Sequence, residues 1–192
     1  MRDGSATRMR LEREAMRLFV EHGVAETSIR DVARAAGVAE GALYRHFAGK
    51  EDLVASLFLG HYLEFARALD RLQAASHGTR AKLDAMIRAF CRFFDEDPVL
   101  FRFLLFVQHG QLAKVPAGAA TPVDVLRAAI AAGMRAGEIP KADAELATAM
   151  VIGLVLQTAT AIVYGRLRGR LAPRADRLVG AALAVLHAPA SG

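Results

Sequence analysis

Residues Thr27–Leu53 read TSIRDVARAAGVAEGALYRHFAGKEDL. Ser28 and Asp31 have the spacing of a capping box, in which a hydroxyl opens a helix and an acidic group follows three residues on. Ile29, Val32, Ala33 and Ala36 form a short apolar stripe at helical spacing. Gly37 breaks the stripe and supplies the backbone angles of a tight turn. Ala33, four residues earlier, is small enough for a following helix to cross closely. Val38 and Leu43 then plug the angle between two helices. Leu43 and Phe47 anchor the second short helix, about 39–46, and Ala48-Gly49 ends it. Two short helices joined in this way make a helix-turn-helix, whose second helix is shaped to enter the major groove of DNA.

Helical periodicity continues on both sides. Upstream, Leu11, Ala15, Leu18, Phe19 and His22 fall on one face, and Gly23 reads as a left-handed cap. Downstream, a long helix starts at Lys50 and carries Leu53, Leu57, His61, Phe65, Leu69 and Leu72. Ser76-His77-Gly78 reads as a linker, and Thr79 as the cap of a helix through Leu83, Ile87, Phe90 and Phe94. Val99 to Val107 is a dense apolar helix. Thr121-Pro122 opens another, with proline at its first position, and Gly137 stops it. A long uncharged helix follows at about 143–166, and a last one at about 174–187. Strand alternation is almost absent. The expected fold is all-α, with about nine helices: an N-terminal three-helix DNA-binding domain over 5–65, its helix-turn-helix at about 28–47, and a helical domain over 66–192.

The turn region carries groups suited to nucleic acid. On the second short helix, Gly41 allows close backbone approach, and Tyr44 and His46 put polar tips on an apolar scaffold. Arg45 suits a guanine edge or a phosphate. Lys50 opens the next helix, and Thr27 and Ser28 open an earlier one; helix N-termini attract phosphate. Arg30 and Arg34 carry charge on the exposed face of the first short helix. Residues 1–55 nevertheless hold nine basic and nine acidic groups, so charge alone does not place a DNA site there.

About 8–55 resembles the N-terminal domain of the tetracycline-repressor (TetR) family of bacterial transcription regulators. The likeness rests on Leu18-Phe19, Gly23, Thr27-Ser28-Ile29, Asp31-Val32-Ala33, Ala36-Gly37-Val38, Gly41, Leu43-Tyr44, His46-Phe47 and Lys50-Glu51-Asp52-Leu53. It covers about a quarter of the chain. Ala39 and Ala42 depart from it, since the family often has hydroxyl residues at both positions. The resemblance implies DNA contact through Thr27, Ser28, Arg30, Gly41, Ala42, Tyr44, Arg45, His46 and Lys50. It implies a homodimer through the helices at about 143–166 and 174–187, reading a palindromic or near-palindromic operator. It also implies a C-terminal chamber for a small hydrophobic or aromatic effector that releases a repressor. Tyr62, Phe65, Met86, Phe90, Phe94, Phe103, His109, Met134 and Gln157 are the candidates to line it; core filling is the competing reading for each.

Composition sets further bounds. The chain has 192 residues, 54% hydrophobic and 23% charged, enough for a buried core. Its formal net charge is +5, and much of the excess lies in Arg166, Arg168, Arg170, Arg174 and Arg177. A single cysteine, Cys91, fits a reducing cytoplasm, and the charged N-terminus has no apolar signal-like run. Ala147 to Gly165 is 19 residues without a charge, long enough to span a bilayer. Its threonines, glycines, alanines and Gln157 favour burial in protein instead. The six histidines are scattered, so no metal site is expected, and no cofactor or catalytic motif is legible. Asp95-Glu96-Asp97 reads as a solvated turn. Two alternatives stay open: a helical DNA-binding protein without a ligand switch, and a membrane-anchored helical sensor.

Overall fold

The computed structural model describes residues 3–188. Among them the chain forms nine α-helices and no strand: α1 (Asp3–His22), α2 (Ile29–Ala35), α3 (Glu40–Tyr44), α4 (Lys50–Ala74), α5 (Thr79–Glu96), α6 (Pro98–Gln111), α7 (Pro122–Ala136), α8 (Ala144–Val163) and α9 (Ala175–His187). Single 3-10 turns at Leu112–Lys114 and Ala172–Arg174 follow α6 and precede α9. The helix stops use the expected glycines: Gly23, Gly37 and Gly137 all have positive φ.

The helices group into two compact units. Among the described residues, the first holds 3–61 and 98–117; the second holds 62–97 and 118–188. The division falls inside α4, four residues before the boundary expected from the sequence. It also returns α6 to the N-terminal unit, which the sequence did not suggest. The reason is apolar burial. Phe103 of α6 is fully buried and its ring stacks on Phe19 of α1, with centroids 6.1 Å apart. Leu11, Ala15, Val32, Leu43, Phe47, Leu53 and Phe58 are also buried in this unit.

In the second unit α5 packs on α7 and α9, and α8 packs on α7 and α9. Its core includes Leu83, Met86, Cys91, Ile130, Met134, Val151, Ala159 and Ala182. At α7, Thr121 is the expected N-cap with Pro122 in the first turn, and it forms a capping box with Asp124. The start of α5 differs from expectation. Gly78 is its cap residue, and Thr79 is the first helical one. The Thr79 backbone N–H donates to the Glu138 carboxylate, from the turn after α7. That bond holds the Glu138 carboxyl below its ordinary range.

The acidic turn at the end of α5 is corrected in one respect. Glu96 is exposed, but the Asp95 side chain is only 3% exposed. Its carboxylate accepts from the backbone N–H groups of Leu171 and Ala172, at 2.9 and 2.8 Å. Arg170 Nε lies 3.4 Å from it. Asp95 is therefore a clamp on the loop between α8 and α9.

Candidate nucleic-acid interface

In the first unit α2 and α3 carry most of the residues expected to meet DNA. Ser28 caps α2: its hydroxyl accepts from Asp31 N–H at 3.2 Å, and the Asp31 carboxylate accepts from Ser28 N–H at 3.1 Å. The Ser28 hydroxyl and backbone thereby lower the Asp31 pKa below its ordinary 3.8. Gly37, with φ +66, turns the chain. The backbone N–H of Val38 closes the turn onto Ala33 C=O at 3.0 Å. Ala39 stands at the cap of α3 with no side-chain hydrogen bond, the consequence of alanine in place of a hydroxyl.

Of the nine expected contacts, Ser28, Arg30, Gly41, Tyr44 and Arg45 are exposed, and His46 and Lys50 are half-buried. Tyr44 is 53% exposed, far more than an aromatic side chain placed for packing. Lys50 Nζ reaches back to donate to Ala25 C=O at 3.1 Å, which ties the start of α4 to the loop before α2.

Two expected contacts are turned inward. Thr27 is 2% exposed, and its hydroxyl donates to Gly23 C=O at 2.8 Å. The Thr27 side chain is a staple between the α1 cap and α2, unavailable to a phosphate. Ala42 is 8% exposed, because it lies beside Leu43 on the buried face of α3. Sequence reasoning missed Glu40. Its carboxylate lies 3.5 Å from Arg30 Nε and bridges α2 to α3; the ten-residue separation gave no periodic signal.

The nine effector candidates divide between the two units. Phe103 and His109 belong to the first unit; Phe103 is core and His109 is exposed. Gln157 is exposed on α8. Met86, Phe94 and Met134 are buried in the second unit. Phe65 joins Phe93 and Phe90 in a ring cluster, with centroids 4.9 and 6.3 Å away. Burial raises the Tyr62 phenol above its ordinary 10.0, partly offset by a hydrogen bond with the Thr121 side chain. A separate open groove of about 470 Å³ in the second unit is lined by Thr79, Glu138, Ile139, Leu183 and His187, none of them a candidate.

Burial pushes the Cys91 thiol up to about 11, the opposite of an activated thiolate. The α8 helix is long and apolar enough to cross a membrane, yet only 22% of that stretch is buried within the chain. Leu146 and Met150 on it are 54% and 48% exposed.

Comparison with known proteins agrees with this geometry. Residues 13–57 match the family described as bacterial regulatory proteins, tetR family. The HTH-type transcriptional repressor KstR2 of Rhodococcus jostii (strain RHA1) is 36% identical over 73 residues, 38% of this chain and 36% of KstR2. The matched segment thus spans about a third of that relative's length. The fatty acid degradation regulator FadR from Bacillus halodurans superposes with a TM-score of 0.76 at 20% identity, over 92% of this chain and 94% of that one. The transcriptional regulator FadR from Bacillus subtilis in complex with stearoyl-CoA gives 0.76 at 20% identity, over 93% and 99%. Those two likenesses speak to the fold. The helix-turn-helix described above lies directly under the sequence match, so residues 13–57 are similar to the tetR family of bacterial regulatory proteins.

Proposed function

We propose that the protein is a cytoplasmic, DNA-binding transcriptional regulator, a repressor that leaves its operator when a small apolar effector binds. The observation that carries this is the exposed surface of Gly41, Tyr44 and Arg45 on α3 within the family match. Tyr44 and Arg45 read base edges or phosphates, and Ser28, Arg30, His46 and Lys50 flank them. Phosphate contacts give affinity and base contacts give selectivity.

The uncovered apolar face of α8 favours a homodimer in which α8 and α9 of each copy form a four-helix bundle about a twofold axis. Two copies of α3 about 34–36 Å apart suit a palindromic operator. The same pairing covers the span-length helix without lipid.

Effector and operator must favour different conformers, and the antagonism is reciprocal. The ring cluster of Phe65, Phe90 and Phe93 is the apolar feature of the second unit best suited to an effector. Stearoyl-CoA, named with the B. subtilis neighbour, is the first molecule to try. A second reading, DNA binding without a ligand switch, draws on Met86 and Phe103 being core side chains and His109 and Gln157 being exposed.

The test is binding of the purified protein to the DNA beside its own gene, and to random-sequence DNA, with Tyr44→Ala and Arg45→Ala. Sequence-specific binding that weakens steeply with salt and drops in both variants is expected. Failure to select any sequence refutes the regulator. Operator affinity unchanged by every apolar ligand favours the second reading.

A further inference from the structure

The interface holds one carboxylate that attraction to a polyanion does not explain. Glu40 is the first residue of α3, and Oε2 of its carboxylate lies 3.5 Å from Arg30 Nε in the first turn of α2. Both side chains are solvated, Arg30 at 74% and Glu40 at 42% exposure. An ion pair that exposed adds little to stability, and α3 has only five residues over which an acid could favour the helix. Folding therefore gives little reason for the pair. Glu40 and Tyr44 are four residues apart, so they share one face of α3. That face also carries the Tyr44 ring, which is exposed.

We propose that Glu40 is a specificity-determining residue that takes the N4 amino group of a cytosine in each half-site, with Arg30 as the positioning residue for its carboxylate. This rests on the DNA-binding reading above. An ionised carboxylate only accepts hydrogen bonds. In the major groove cytosine offers the N4 donor, whereas guanine N7 and O6 and thymine O4 are acceptors that repel it. Adenine sets an N7 acceptor beside its N6 donor and fits less well. The Arg30 guanidinium offsets the charge of Glu40 against the phosphates and fixes its direction across the turn.

The experiment is selection from random-sequence DNA, then affinity for every single-base variant of the selected operator. It is run on the full chain, on Glu40→Gln and on Arg30→Ala, with far-UV circular dichroism to confirm helix content. The wild type is expected to prefer cytosine at one position per half-site, by about tenfold over guanine or thymine. Glu40→Gln moves that preference to adenine, since an amide bonds N6 and N7 together, and leaves the other positions unchanged. Total affinity holds or rises, because a charge repelled by DNA is gone. Arg30→Ala keeps the preference for cytosine but weakens it. Identical base preferences in wild type and Glu40→Gln overturn the inference and leave DNA binding standing. A folded wild type that enriches no sequence overturns both.

Discussion

A Cβ atom at Gly133 would lie 2.0 Å from Oγ1 of Thr79. The start of α5 and the last turns of α7 therefore meet at a point where only hydrogen fits. The same Thr79 receives its backbone cap from Glu138, just past α7. One small crossing fixes α5 against α7 and sets where α5 begins.

Gly133→Ala is expected to destabilise the protein although alanine is the better helix former. Alanine gains about 1 kcal/mol in helix propensity, but overpacking costs about 1–3 kcal/mol, and the clash is with a side chain seated in the core. Thr79→Ala in the same chain should restore part of the loss, since it removes the nearest atom. Urea unfolding of the two single variants and the double variant measures this; a Gly133→Ala protein as stable as wild type would refute the close packing.

Asp95→Ala should loosen the loop between α8 and α9. It leaves the N–H groups of Leu171 and Ala172 without their carboxylate, at about 1–3 kcal/mol for each buried donor. Hydrogen exchange at those two amides should speed up before exchange in α7 does. Equal protection in wild type and variant would show that the clamp is idle.

Stability should fall on acidification. The Asp124 and Glu138 carboxyls are held below their ordinary values of 3.8 and 4.5 by hydrogen bonds from Thr121 and Thr79. A group with a depressed pKa contributes stability that is present above its unfolded value and lost as pH falls through its folded value. The loss should therefore begin as pH drops below about 4.5 and grow with further acid. Glu138→Gln should flatten part of that slope. A urea midpoint independent of pH across this window would contradict the assignment.

Cys91 should be inert in the folded protein. A thiol with no exposed surface and a pKa of about 11 carries little thiolate near neutrality. A water-soluble disulfide reagent should label it slowly when folded and fast in denaturant. Rapid labelling of the native protein would reopen a redox role.

Leu146→Glu with Met150→Glu should yield a soluble monomer if α8 pairs with a second copy. Four carboxylates would then crowd one twofold interface. Light scattering on the eluting protein reads the mass directly. A dimer that survives both substitutions would place the interface elsewhere, and a wild type that needs detergent would point to lipid.

The sequence was most readable where one residue type has a local job. Ser28 with Asp31, Thr121 with Pro122, and the glycines at 23, 37 and 137 each announce a helix end through chemistry within a few residues. Long-range pairings were not readable. Asp95 looked like part of a solvated acidic turn because its partners are 76 and 77 residues away. Thr27 looked like a free hydroxyl because its acceptor is a backbone carbonyl, which no side-chain pattern marks. Ala42 was misplaced by analogy of position, where the helix face it occupies is decided by packing with Leu43. Phe90 and Phe103 were grouped as candidates for one chamber, but the Phe103 ring stacks on Phe19 of α1 and the Phe90 ring lies tilted against Phe65 of α4.

The unit that holds the helix-turn-helix is discontinuous in the chain, since α6 supplies the Phe103 ring that covers Phe19. Proteins tend to fold domain by domain as they leave the ribosome, N-terminal first. This one cannot close its first unit when the helix-turn-helix emerges. It must wait until α5 has been made and α6 follows, so the nascent chain holds an open apolar groove on α1 for the intervening synthesis. A shortened protein that stops inside α4 would keep that groove permanently, which makes the isolated N-terminal fragment a client for chaperones rather than a self-contained domain.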